Sequence, residues 1–253
     1  MAEKIFVQDK LTVKKYDTRA EMGAAAAAHA GAIIKELLSK KESISVIFAA
    51  APSQNETLAA LLTENVDFSR VHAYHMDEYA GLSIKDEQSF ARYLNDHIFS
   101  LAPFASVNYI PATLPAEKAC EAYAELLRKN PPDVVCMGIG ENGHIAFNDP
   151  PVADFHDTKL VKKVALDDTC RMQQVHDGCF PTFDDVPKYA LTLTVPALMS
   201  AGHLICTVPA STKAHAVKAM LEGEYGEVCP ATALRKHGDA KMFLDKDSAA
   251  EVL

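Results

Sequence analysis

The sequence predicts an α/β fold built in layers around a mostly parallel sheet. Short, apolar, β-branched runs alternate with longer helical stretches throughout the 253 residues. Four of those runs are each followed by a polar, turn-prone or small-residue segment, the pattern of strands whose carboxyl ends face a ligand. There is no internal repeat and no Ser/Gly-rich linker, so residues 1–253 are read as a single domain.

Taken in order, residues 18–39 read as a long helix, Ala-rich at first and ending in the amphipathic IIKELLSK. SISVIFAA (residues 43–50) is a continuous apolar run of buried-strand length. The turn-like APSQN follows, then a helical ETLAALL. RVHAYHM (70–76) is a second strand, leading into Asp77-Glu78-Tyr79. Helices are expected over 88–100 and 115–129, and DVVCMGIG (133–140) is a third buried strand ending in glycines. YALTLTVPALMS and HLICTVPA supply two further strands. Helices starting near Ser211 and Pro230 and a short strand, KMFL, complete the chain. If the strands at 43–50, 70–76, 133–140 and 203–209 are parallel neighbours, the segments APSQN, DEY, ENGHIAFNDP and ASTK converge on one face.

Composition narrows the function. Hydrophobic residues make up 49% of the chain and charged ones 23%, enough to bury a sizeable core. The net charge of −9 argues against a nucleic-acid or anionic-membrane surface, but leaves room for a local basic pocket. The 6 cysteines show no C-x-x-C spacing, and several lie in apolar runs. They read as free thiols of a reducing compartment. The N-terminal MAEKIFVQDKLTVKKYD is too charged for a signal peptide, and no apolar run reaches membrane-spanning length. The expected location is the cytoplasm.

The chemistry-bearing residues fall in those four segments. The three glycines of Gly138-Ile139-Gly140-Glu141-Asn142-Gly143-His144 permit close approach of the backbone to a ligand, which makes Gly138 a substrate-contact candidate. The spacing is not that of a dinucleotide loop, and no redox cofactor is expected. His144 follows the turn, with Asn142 before it and Asp149 beyond, and an imidazole held by a carboxylate can pass protons near neutral pH. It reads equally as a solvent-exposed loop histidine. Asp77, beyond a strand end, is either a helix cap or a general base whose basicity needs partial burial. His75 and Asp77 also suggest metal ligands, but no second His/Cys cluster has ligand spacing, so no metal is expected. Ser53, Gln54 and Lys213 lie at strand-to-helix junctions, where free N–H groups favour phosphate. Ordinary capping by Ser53, Ser211 and Thr212 is the plainer alternative for each alone.

Together, GIGENGHIAFNDP, HMDEYAGL, VPKYALTLTVPALMSA and VPASTKAHAVKAMLEG resemble glucosamine-6-phosphate deaminase, in the same order from about Thr18 onward. That family shares its fold with 6-phosphogluconolactonase and, more distantly, ribose-5-phosphate isomerase. The resemblance therefore implies a three-layer α/β/α, Rossmann-like architecture with a mostly parallel sheet. Lactonases tend to show DGH-x-AS-x-FP and DER stretches; Phe147-Asn148 and Tyr79 side with the deaminases. The resemblance implies that Asp77 moves a proton between C2 and C1 of the opened sugar and that His144 assists ring opening at O5. It makes Lys213 a phosphate ligand and puts Ser53 in the phosphate loop. Family members include monomers, trimers and hexamers, so a homo-oligomer is compatible.

The departures from the family pattern are specific. The family usually has Asp at the position of Asn142 and Glu at that of Asp149, both supporting the histidine. Pro52 removes one N–H from the phosphate loop. The family's phosphate arginine has no clear counterpart between Asp168 and Val186; Arg171 is the nearest candidate. The expected activity is conversion of glucosamine 6-phosphate, or a related hexosamine 6-phosphate, to fructose 6-phosphate and ammonia. Lactone hydrolysis and a non-catalytic sugar-phosphate sensor are the alternatives.

Overall fold

The order in which strands join the sheet decides where a ligand can sit. The computed structural model describes residues 4–252. In chain order its strands are β1 (Lys4–Gln8), β2 (Leu11–Tyr16), β3 (Ile44–Phe48), β4 (Val71–His75), β5 (Asp77–Tyr79) and β6 (Ser106–Asn108). There follow β7 (Val134–Met137), β8 (Val161–Ala165), β9 (Tyr189–Leu193), β10 (His203–Val208) and β11 (Ala240–Asp245). Eight of these form one sheet in the order β1-β2-β11-β10-β7-β3-β4-β6. Every pairing from β2 to β6 is parallel, and only the β1–β2 hairpin is antiparallel. The four strands singled out in the sequence are consecutive, β10-β7-β3-β4, so their carboxyl ends share one edge. After β3 the chain builds outward through β4 and β6, then returns to place β7 on the other side of β3. That reversal opens a crevice between the ends of β3 and β7.

Helices cover both faces. They are α1 (Arg19–Leu38), α2 (Asn55–Leu61), α3 (Phe90–Leu94), α4 (Ala116–Lys129), α5 (Asp168–His176), α6 (Val195–Met199) and α7 (Ala214–Glu222). Because both faces are buried, strands are apolar at successive positions and the pleat divides them. Val46 and Phe48 pack with α1 and α2, whereas Ile47 packs with α4, α6 and α7. The alanine run of α1 is a close-packing face as well as a good helix former. A Cβ on Gly23 would lie 2.5 Å from Glu56 Cβ, and one on Gly31 2.8 Å from Glu64 Cβ, so these glycines let α2 and its following turn come near. Thr18 caps α1, accepting the Glu21 N–H.

Several expectations need correction. YALTLTVPALMS is not one strand: β9 ends at Leu193, Thr194 accepts the Ala197 N–H, and Pro196 sits in the first turn of α6. The segment at 230–236 is a 3-10 helix. The helix expected over 88–100 begins as α3, capped by Ser89, and continues into a π-helical turn over Asn95–Phe99. Asp77-Glu78-Tyr79 is itself a strand. It joins a second, antiparallel sheet in the order β5-β9-β8. The β1–β2 hairpin, β6, β8 and α5 were not expected from the sequence.

Candidate active site

The crevice between β3 and β7 holds an open cleft, about 580 Å³ when the solvent at its mouth is included. Residues 49–54 beyond β3, Met76 and Asp77 beyond β4, residues 138–140 with His144, Ala146 and Phe147 beyond β7, and Lys213 beyond β10 supply much of its walls. Of the residues singled out in the sequence, Asp77, His144, Ser53, Gln54, Gly138 and Lys213 line it. Asn142 and Asp149 lie directly behind His144, and Arg171 is not brought to it.

Asp77 is placed by the small sheet, not by a loop. It pairs with Thr192 across β5 and β9, and its side chain faces the cleft although the residue is only 6% exposed. Burial, reinforced by the charge of Glu78, pushes its carboxyl well above the usual value, the direction a general base needs. Alternation along β5 sends Glu78 the other way. Its carboxylate accepts N–H groups of Tyr79, Phe90 and Ala91 at 2.9, 3.1 and 2.8 Å, anchoring the start of α3. Tyr79, back on the Asp77 side of the strand, is fully buried, and its hydroxyl donates to Gln174 Oε1 at 2.6 Å. His75 is structural: it is fully buried, and its Nε2 accepts the Ile110 N–H at 2.8 Å.

His144 lies against Gly140, where a Cβ would fall 2.1 Å from the ring. Its Nδ1 faces two acceptors, Asn142 Oδ1 at 2.7 Å and Asp149 Oδ1 at 3.0 Å. Nδ1 must therefore carry a proton, which leaves the lone pair on Nε2. Burial alone would raise the Asp149 carboxyl, but the hydrogen bond and charge of His144 and the Asn142 amide outweigh it and hold it low. His144, Asp149 and Cys170 also bring one donor atom each within 4.8 Å of one another. Burial pushes the Cys170 thiol well up, and the Nδ1 proton is already shared with acceptors, so this group is built as a hydrogen-bonded cluster rather than a metal cradle.

At the far end of the cleft, neither the turn at Pro52–Gln54 nor that at Ser211–Lys213 has a side-chain cap, so capping does not occupy their hydroxyls. Ser53 Oγ accepts from Gln54 Nε2 at 3.1 Å, and Gln54 is tied to Thr207, whose hydroxyl donates to its Oε1 at 2.8 Å. Lys213 is 5% exposed and belongs to none of the ion pairs among the described residues. Burial draws its pKa down, countered in part by Asp177 and Glu141. Ala210, just before it, has φ 81° and ψ 150°, a region usually left to glycine, so strain is held at the mouth of this turn. Arg171 instead donates from Nη2 to the carbonyls of Phe183 and Val186 at 2.8 and 3.0 Å and stacks on the Phe183 ring.

Further wall residues are ones the sequence reading passed over: Gln173, Gln174, Asp177, Cys179 and Phe90. A signal was available. Asp167 begins a capped helix, and Gln173 and Asp177, spaced i,i+4, share a face that Arg171 does not.

A protein-family profile described as glucosamine-6-phosphate isomerases/6-phosphogluconolactonase matches residues 17–243. The chain belongs to that family. A glucosamine-6-phosphate deaminase of Bacillus cereus (strain B4264) is 33% identical over 218 residues, 85% of this chain and 81% of that protein. One from Bacillus thuringiensis (strain Al Hakam) is 32% identical over the same length. Among solved structures, a monomeric glucosamine-6-phosphate deaminase superposes with a TM-score of 0.86 at 30% identity, covering 94% of this chain and 99% of that one. The 6-phosphogluconolactonase of Thermotoga maritima superposes with a TM-score of 0.77 at 22% identity, covering 94% and 100%, a likeness of fold. The glucosamine-6-phosphate isomerase/6-phosphogluconolactonase family is one of enzymes, and the chain is an enzyme of it. No helix among the described residues is long and apolar enough to cross a membrane.

Proposed function

We propose that this enzyme isomerises and deaminates an amino-sugar 6-phosphate, glucosamine 6-phosphate or a close relative, giving fructose 6-phosphate and ammonia. The observation that carries the reading is the pairing of two proton carriers in one cleft: a buried carboxyl pushed upward, Asp77, and an imidazole whose Nδ1 proton is committed to acceptors, His144. The phosphate sits by Lys213 and the uncapped turn at Ser53. Nε2 of His144 takes the proton of the C1 hydroxyl and returns it to O5 as the ring opens. Asp77 then removes the C2 proton and delivers it to C1, while the carbonyl oxygen at C1 takes up a proton and the amino nitrogen gives one up, leaving a hydroxymethyl at C1 and an imine at C2. Water adds to that carbon and ammonia departs, so the overall chemistry is proton transfer and hydrolysis, with no net oxidation. Asn142 and Asp149 orient the imidazole. Gln54 and Gly138 shape the phosphate side. The work is done in the cytoplasm on a small soluble substrate.

The test is ammonia release from glucosamine, galactosamine and mannosamine 6-phosphates, with Asp77→Asn beside the wild type. Expected are release by the wild type, none by the variant, and solvent deuterium at C1 of the product. Hydrolysis of 6-phosphogluconolactone without ammonia release would move the assignment to the lactonases. Tight binding of an amino-sugar phosphate with no turnover would make the protein a sensor.

A further inference from the structure

Asn142 stands where the family pattern has an acid, and its surroundings explain how a neutral side chain serves there. An amide has two hydrogens to give and two lone pairs to offer. Here all four are used. Nδ2 donates to Asp149 Oδ1 at 3.1 Å and to Asp167 Oδ2 at 3.2 Å. Oδ1 accepts the backbone N–H of His144 at 3.0 Å and faces its ring Nδ1 at 2.7 Å. Two carboxylates on one side and two donors on the other allow a single orientation. The flipped amide would set its oxygen against both carboxylates and its NH2 against an N–H.

Asp149 Oδ1 holds amide and ring with one atom, shared between Asn142 Nδ2 at 3.1 Å and His144 Nδ1 at 3.0 Å, so a second carboxylate on the amide adds to the selection. Asp167 touches Asn142 but has no hydrogen bond to the imidazole. It also heads α5: Oδ1 accepts the Cys170 N–H at 2.7 Å, and its own N–H reaches Asp149 Oδ2 at 3.5 Å. The helix that carries Gln173, Gln174 and, at its end, Asp177 into the cleft is thus seated on the carboxylate that orients the amide.

We propose that Asp167 is a positioning residue for His144: acting through the Asn142 amide, its carboxylate holds the imidazole in the Nδ1–H tautomer with Nε2 open to the cleft. This rests on the assignment of proton transfer to His144. The negative charge nearest the ring is then Asp149 alone, while Asp167 works at one remove, through a neutral group.

Two variants and a control test it. Asp167→Asn keeps an oxygen that can cap the Cys170 N–H but turns an NH2 toward that of Asn142; Asp167→Ser keeps the cap and removes the reach. Asp168→Asn alters the adjacent acid, whose side chain is 91% exposed, and controls for charge at the start of α5. The first readout needs no substrate: long-range proton–nitrogen correlation spectra of ring-labelled histidine, with His144 among the 10 histidines identified by its loss in His144→Gln. The second is kcat and KM for ammonia release. The wild type and Asp168→Asn are expected to show the Nδ1–H pattern. Both Asp167 variants are expected to show mixed tautomers and about tenfold lower kcat with KM unchanged, the scale of an outer hydrogen-bond partner's contribution. An unchanged tautomer in folded Asp167→Asn or Asp167→Ser overturns the proposal, as does an equal kcat loss in Asp168→Asn. If the wild type releases no ammonia from any amino-sugar phosphate, the functional reading fails, and the ring spectra still decide the role of Asp167.

Discussion

Replacing Gly140 by alanine isolates the placement of His144 from every other property of the site. The backbone at 140 is not in the left-handed region, so alanine adopts it without strain and the added methyl is the whole perturbation. That methyl would lie 2.1 Å from Cε1, 2.2 Å from Nδ1 and 2.4 Å from Nε2 of His144. Ordinary carbon contacts are near 3.5–4 Å, so the ring has to withdraw by roughly 1 Å or more. It is held by Nδ1 contacts of 2.7 and 3.0 Å, which a shift of that size breaks. A misplacement of about 1 Å costs on the order of 100-fold in rate, equivalent to about 2.7 kcal/mol of barrier. The expected result for Gly140→Ala is thus a kcat lower by about 100-fold and a folded state weakened by about 1–3 kcal/mol from overpacking. Ammonia release at saturating substrate measures the first, and urea unfolding the second. Wild-type kcat, or a loss accounted for entirely by unfolded protein, would refute the reasoning.

Other substitutions separate roles that the sequence alone leaves merged. Lys213→Met should raise KM by about tenfold or more, the worth of a charge-assisted hydrogen bond of roughly 1.5–3 kcal/mol, with kcat less affected; an unchanged KM would remove Lys213 from the phosphate site. Arg171→Met should leave KM alone yet cost about 1–3 kcal/mol of stability for each carbonyl left without its donor, as read by denaturant unfolding; a raised KM in a stable variant would restore Arg171 as a ligand. His75, fully buried, has its pKa drawn down to about 3 by burial, from an ordinary 6.5. Between those values the unfolded chain holds a proton the folded chain does not, so this contribution is full above 6.5 and lost as pH falls toward about 3. Glu78, pushed up to about 7 by burial from 4.5, acts with the opposite sign: its contribution is present below 4.5 and fades as pH rises through about 7. Unfolding measured at about pH 4, 5.5 and 7 should show a shallower acid-side loss in His75→Gln than in the wild type; equal slopes would contradict the assignment.

The central edge of the sheet was legible because a strand buried on both faces has to be mostly apolar at successive positions, as the runs before APSQN, ENGH and ASTK are, while the run before DEY is broken by His72 and His75. The choice between the adjacent acids Asp77 and Glu78 rested on the family resemblance and not on the local pattern. It depends on the pleat of a three-residue strand whose partner lies more than a hundred residues on, and only that pairing shows which acid enters the cleft and which anchors α3. Arg171 attracted attention as the only arginine in its stretch, but its fork is spent on two carbonyls. The cleft wall on the same helix is polar and uncharged over Gln173 and Gln174, so composition gave it no emphasis. The sequence shows Asn142 only as a side chain that cannot ionise where the family has an acid. Its four hydrogen bonds become visible only when Asp149 and Asp167, from different loops, are brought beside it.

Thr192 of β9 pairs with Asp77 across the ladder, and its hydroxyl also receives the Phe147 N–H at 3.1 Å. The following carbonyl, of Leu193, accepts from Asn148 Nδ2 at 2.8 Å. One strand therefore sets the span between the carboxylate and the loop that carries the imidazole, much as a gauge bar sets the span between rails. Drift in the turns at 52–54 or 177–179 can widen, narrow or recharge the cleft for another sugar without altering that span. An insertion of one residue within β9 would turn over every side chain beyond it and displace both proton carriers together. On the proposed function, substrate preference and proton transfer thus sit on separately variable parts, so the first can diverge while the second is inherited intact.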